Sequence, residues 1–176
     1  MTYNEHIEAG ERTRRVYILL SRHYDLFSTF IYFVSLGGYT HVSVGLEDDP
    51  QTYYSFNSKG FRVEKPEEWR KRRVGMRQYE VMVTEEEYRF IKEWIGSFKL
   101  KKTVLKYSKI GVALCIMKVP HKFRNKYFCS QFVTELLKRA GVIAGHRACS
   151  TYLPSNLNRK LKKTRFAHLR PVCAFK

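Results

Sequence analysis

The order of patterns along this chain predicts an α+β fold, an antiparallel sheet packed against helices. Three observations carry that expectation. Strand-type runs gather in the first half, helical patterns dominate the second, and an apolar run near the C-terminus reads as a final strand. Strands, then helices, then a strand argue against the regular alternation of a parallel sheet. The 176 residues fit one domain, 1–176, with 1–14 as a tail or an opening helix.

Taken in order, Val16 to Leu20 is a short β-branched run and reads as a buried strand. Asp25 to Leu36 is apolar around much of a helical wheel and ends at Gly37-Gly38, the pattern of a buried helix. Thr40 to Leu46 alternates: Val42, Val44 and Leu46 face one way, and His41, Ser43 and Gly45 the other. Glu47 to Gln51 reads as a turn, Thr52 to Asn57 as the second strand of a hairpin, and Ser58-Lys59-Gly60 as its close. Pro66 to Arg73 is charged and expected to be exposed, and Arg77 to Val83 is another strand.

Thr84 with Glu87 three residues later forms a capping box, and Tyr88, Ile91, Ile95 and Phe98 keep helical spacing behind it. Leu105 to Met117 is expected to be helical and to break at Pro120. Phe128 to Ala140 is the clearest helix, with Phe132, Val133, Leu136 and Leu137 on one face and Gly141 beyond its end. Pro154 to Leu161 reads as a short helix, and Phe166 to Phe175 as the final strand.

Composition excludes some classes. Hydrophobic residues make up 44 % of the chain, enough for a core, so overall disorder is excluded. No run approaches the roughly 18 apolar residues of a membrane span, and Met1 to Arg15 has no apolar h-region, so a cytoplasmic protein is expected. Cys115, Cys129, Cys149 and Cys173 form no C-x-x-C pair and no zinc-type spacing, so neither metal nor cofactor is expected. The net charge of +17 favours acidic partners, such as nucleic acid, an anionic polymer or a membrane surface. It concentrates at Arg70 to Arg73, Lys99 to Lys102 and Arg159 to Arg165.

Cys129 opens the clearest helix. Unpaired N–H groups and the positive end of the helix dipole favour an anion there, so a thiolate is stabilised and an oxyanion can follow it. The thiol need not face the core, because Phe128, Phe132 and Val133 can do so without it. A thiolate nucleophile needs a histidine as ion-pair partner and proton donor. Among six histidines, His41 alone opens a strand, on the face opposite Val42 and Val44, where a base can be held rigidly.

The stretches Tyr39 to Leu46 and Tyr127 to Leu137 resemble the two signatures of permuted NlpC-type, papain-like proteins, a group that includes YiiX-like hydrolases and lecithin:retinol acyltransferase relatives. In that group the histidine precedes the cysteine, begins a strand after a Gly-rich turn, and faces a cysteine that begins a helix. The resemblance implies a circularly permuted papain-like fold and a third polar residue, on the strand after the histidine, that orients the imidazole. Ser55 and Asn57 share a face of the matching strand, and both are candidates. Tyr127 and Ser130, which flank the Phe128-Cys129 pair, are candidates to line the pocket or donate to the oxyanion.

The resemblance further implies cleavage of an amide or ester bond through an acyl-thioester on Cys129, with His41 as base and acid. Relatives act on cell-wall peptides, other peptides or isopeptides, and lipid acyl groups. A peptide or amide hydrolase is the expectation here. The alternatives are a lipid acyl-transfer enzyme of the same fold, and a non-catalytic basic module binding nucleic acid or another polyanion.

Overall fold

The computed structural model describes residues 11–23, 32, 38–71 and 75–170. Apart from Tyr32, the helix expected over Asp25 to Leu36 lies outside the described residues. So do Cys173, His6, and Arg72 and Arg73 of the basic run.

The architecture is α+β. Six strands form one sheet: β1 (Arg14–Arg22), β2 (His41–Leu46), β3 (Asp49–Asn57), β4 (Gly60–Glu64), β5 (Gly75–Val83) and β8 (Ala167–Arg170). Their spatial order is β4-β3-β2-β1-β5-β8, and every neighbouring pair is antiparallel. The other two strands, β6 (Lys106–Tyr107) and β7 (Lys126–Tyr127), make a separate parallel pair. The helices are α1 (Pro66–Lys71), α2 (Glu85–Leu100), α3 (Lys109–Ile116), α4 (Cys129–Arg139) and α5 (Pro154–Leu161). Among the described residues no helix is long and apolar enough to cross a membrane.

One face of the sheet carries Val16, Ile18, Val42, Val44 and Val81, and α2, α4 and α5 pack their apolar stripes onto it. Helix α2 begins with the expected capping box: Glu87 N–H donates to Thr84 Oγ1 at 3.1 Å, and Thr84 N–H donates to Glu87 Oε2 at 2.8 Å. Its Tyr88, Ile91, Ile95 and Phe98 are all buried. From α4, Phe132 enters an aromatic cluster with Phe56 at 5.3 Å, Phe98 at 5.1 Å and Trp94 at 5.3 Å between ring centroids. Such pairs add about 0.5–1.5 kcal/mol each beyond the area they bury. The second face is also closed at its centre, where Leu19, Ser43, Tyr53 and Ser55 are fully buried.

The chain departs from its sequence-based reading in several places. The turn expected over Glu47 to Gln51 contracts, because Asp49 already pairs with Leu46 across a bulge. Arg14 binds Glu47, Asp48 and Glu85 together, which draws the turn onto the start of α2. The chain after Gly60 is a strand, β4, at the edge of the sheet. Gly60 has φ +92°, and a Cβ there would lie 2.3 Å from the Leu105 carbonyl oxygen, so only glycine fits this reversal. The segment expected to be merely charged and exposed becomes α1, with Pro66 at its first turn beside Glu67 and Glu68. The helix expected from Leu105 starts only after Ser108, whose hydroxyl caps Gly111 N–H at 3.0 Å, because Lys106 and Tyr107 pair with Lys126 and Tyr127 instead.

Candidate active site

Cys129 is the first residue of α4. Phe128 precedes it in an extended conformation, with φ −121° and ψ 165°, and supplies no side-chain cap. The first intrahelical bond runs from Phe132 N–H to Phe128 C=O at 3.0 Å. The N–H groups of Cys129, Ser130 and Gln131 therefore precede the helical ladder and point their positive ends outward. Two features hold this terminus still. Ser108 N–H donates to Tyr127 C=O at 2.9 Å. The Phe128 ring is buried with Val112 and Cys115 in a small apolar cluster of its own.

His41 opens β2 opposite Ser21 of β1, and Thr40 N–H donates to Ser21 C=O at 3.0 Å just before it. The pairing with β1 and the preceding bond leave its backbone little freedom. Its Nε2 lies 3.1 and 3.0 Å from the two carboxylate oxygens of Glu64. Cys129 stands near enough to the same imidazole to raise its pKa alongside Glu64. All three groups are buried: Cys129 is 3 % exposed, His41 8 % and Glu64 8 %.

Burial is the largest single influence on His41 and by itself would drive the proton off the ring. The charge of the Glu64 carboxylate, its acceptance of a hydrogen bond from the ring, and the nearby Cys129 together outweigh it and raise the imidazolium to about 10. The other described thiols stand in different surroundings. Burial pushes Cys115 up to about 12, and burial raises Cys149 as well, against the pull of Lys138. Cys129 alone among them acts on an imidazole that a carboxylate holds in its charged form.

A wall of aromatic rings flanks the histidine. Trp69 of α1 meets His41 edge-on at 5.8 Å and His23 at 4.8 Å, and His23 meets His41 at 5.4 Å. His23 Nε2 is also 2.9 Å from Ser21 Oγ, and its N–H donates to Thr40 Oγ1 at 2.9 Å.

Four sequence-based assignments need correction. Ser55 does not orient His41: its hydroxyl donates to Val42 C=O at 2.6 Å inside the sheet. Asn57 does not either, since its Oδ1 accepts from Lys59 N–H at 2.9 Å and tightens the β3–β4 turn. Tyr127 turns its ring into the aromatic core, 5.3 Å from both Phe56 and Phe98. The Ser130 hydroxyl is spent on Tyr152 C=O at 2.6 Å and is fully buried. The expectation that Cys129 stays off the core is also revised, because its side chain belongs to the main apolar cluster.

Sequence reasoning missed Glu64, Trp69 and His23. A signal for Glu64 existed in the two-residue reversal at Ser58-Lys59, which implies a returning strand. Periodicity would still have misled, because Arg62 and Val63 are both exposed before Glu64 turns in. No protein-family model matches this chain, and no curated protein matches it.

Proposed function

We propose that this chain is a cysteine-dependent hydrolase of circularly permuted papain-like fold that cleaves an amide or ester bond. The observation that carries the reading is the buried Cys129, His41, Glu64 series at the N-terminus of α4. Cys129 Sγ attacks the substrate carbonyl carbon, and the oxyanion that forms is held by N–H groups at the helix start. The C–N or C–O bond then breaks as the His41 imidazolium gives its proton to the leaving group. Neutral His41 next takes a proton from water, whose oxygen attacks the thioester. Collapse releases the carboxylic acid and restores the thiolate and imidazolium. Glu64 orients the ring and stabilises its charged form throughout.

An activated ester tests this directly. Incubation with p-nitrophenyl acetate should release a burst of nitrophenolate and leave an acetyl group on Cys129, located by peptide mass spectrometry. Cys129→Ser and His41→Ala should each abolish the burst. Acetyl transfer to other residues at equal rates would count against the reading.

A further inference from the structure

The segment from Lys99 to Lys126 contains nine Lys and Arg residues, and no Asp or Glu occurs between Glu93 and Glu135. All nine side chains are exposed. The only ion pair from this segment among the described residues is Lys122 with Glu135 at 4.0 Å. The segment also exposes large aliphatic side chains, with Leu100 88 % exposed, Ile110 66 % and Val104 52 %, and Val63 of β4 is 56 % exposed. A protein surface that sets four aliphatic side chains among cations with so few carboxylate partners is matched to something both anionic and apolar.

The β3–β4 hairpin links part of this segment to β4 as a cationic and aliphatic belt. The β3–β4 turn seats on the segment, with Gly60 against the Leu105 carbonyl. Val63 shares a cavity of about 370 Å³ with Phe61, Arg62, Lys99 and Lys102. Ile110 lines a second cavity of about 240 Å³ with Ser58 of the same turn, Phe123 and Lys126. The belt borders the candidate site, since Val63 precedes Glu64 on β4 and Lys126 lies on the short strand that leads into Cys129.

We infer that this belt docks the protein on the surface of an anionic lipid bilayer, with Val63, Leu100, Val104 and Ile110 dipping among the acyl chains and the lysines reaching headgroup phosphates. A second copy of the chain is disfavoured as the occupant, because a symmetric contact would set this cationic surface against itself. Nucleic acid would use the charge but gains nothing from exposed aliphatic side chains, since its affinity comes from phosphates and stacked bases. The inference does not depend on Cys129 being catalytic.

Cosedimentation of the full chain with vesicles tests it. Phosphatidylcholine vesicles containing phosphatidylglycerol should bind at low salt, pure phosphatidylcholine vesicles should not, and high salt should release the protein. Each neutralised lysine, in Lys101→Gln, Lys102→Gln or Lys109→Gln, should weaken binding about fivefold. The double variant Leu100→Ser, Ile110→Ser should weaken it about tenfold or more. Both positions are exposed, so circular dichroism should show an unchanged fold. Lys162→Gln with Lys163→Gln, beyond α5, should bind like the parent. No sedimentation with anionic vesicles at low salt, parental binding by the aliphatic variant, or tighter binding to duplex DNA than to vesicles would each overturn the inference.

Discussion

The imidazole of His41 stands with Nε2 3.0 and 3.1 Å from the two carboxylate oxygens of Glu64, three strands into the edge of the sheet and almost out of water. A carboxylate there does what neither Ser55 nor Asn57 could do: it supplies charge, and charge is what keeps a buried imidazolium protonated against desolvation. Glu64→Gln preserves shape and one hydrogen bond but removes the charge. The variant should therefore lose about tenfold or more in Cys129 acetylation rate, since burial, the largest influence on the ring, would then drive the proton off with the carboxylate's charge no longer opposing it. Glu64→Ala should lose more. A Glu64→Gln rate equal to the parent's would remove Glu64 from the mechanism.

Thiol selectivity follows from the same pair. With iodoacetamide near neutral pH, Cys129 should alkylate faster than Cys115 and Cys149, both of which burial holds in the thiol form. His41→Ala should erase the difference. Peptide mapping after brief labelling measures it, and preferential modification of Cys115 or Cys149 would contradict the assignment.

Stability should depend on pH through His41. Its folded-state value, about 10, lies above the ordinary 6.5, so the folded protein holds this proton more tightly than the unfolded chain does. The pair contributes its full stabilisation below about pH 6.5 and loses it as pH rises toward about 10. Removing one partner of a buried pair costs about 3 kcal/mol. Urea unfolding should thus show Glu64→Gln destabilised by that order near pH 6, with the gap to the parent shrinking steadily on the alkaline side. A gap that widens with rising pH would exclude a charged His41–Glu64 pair.

The parts of this molecule that were legible in the sequence are those set by local rules. The Thr84–Glu87 capping box and the apolar stripe of α4 depend on spacing alone, and both stand where the pattern places them. The Pro154 to Leu161 helix does too. Cys129 and His41 were legible because each marks the start of a regular element. Glu64 was not, because its burial is decided by how an edge strand twists past its neighbour. The residues before it give no alternation to read. Trp69 was hidden for a similar reason: a six-residue helix of mostly charged residues looks like solvated loop until the histidine it covers is in place. Ser55 and Asn57 were plausible by face, but hydrogen bonds to Val42 and Lys59 had already claimed them.

Gly60 should tolerate no side chain. Its positive φ, and the Leu105 carbonyl oxygen 2.3 Å from where a Cβ would stand, leave Ala strained on both counts. Gly60→Ala should destabilise the protein by about 1–3 kcal/mol. Because β4 carries Glu64, the variant should also lose Cys129 reactivity out of proportion to its unfolded fraction. Thermal unfolding and acetylation rates measured side by side would separate the two effects. A variant with parental stability would mean that the turn relaxes freely.

Ser130 provides the sharpest contrast between a residue beside the nucleophile and a residue in the mechanism. Its hydroxyl donates to Tyr152 C=O at 2.6 Å and is sealed from solvent, so it ties the first turn of α4 to the chain leading into α5. The oxyanion donors in the proposed reaction are backbone N–H groups, which a side-chain substitution leaves in place. Ser130→Ala should therefore leave the Tyr152 carbonyl unsatisfied and cost about 1–3 kcal/mol of stability. Its rate of Cys129 acetylation, measured well below the unfolding transition, should stay within about threefold of the parent, whereas loss of an oxyanion donor costs about 10²-fold or more. A large loss of rate with parental stability would move the Ser130 hydroxyl into the oxyanion site and reverse the assignment drawn from its bond to Tyr152.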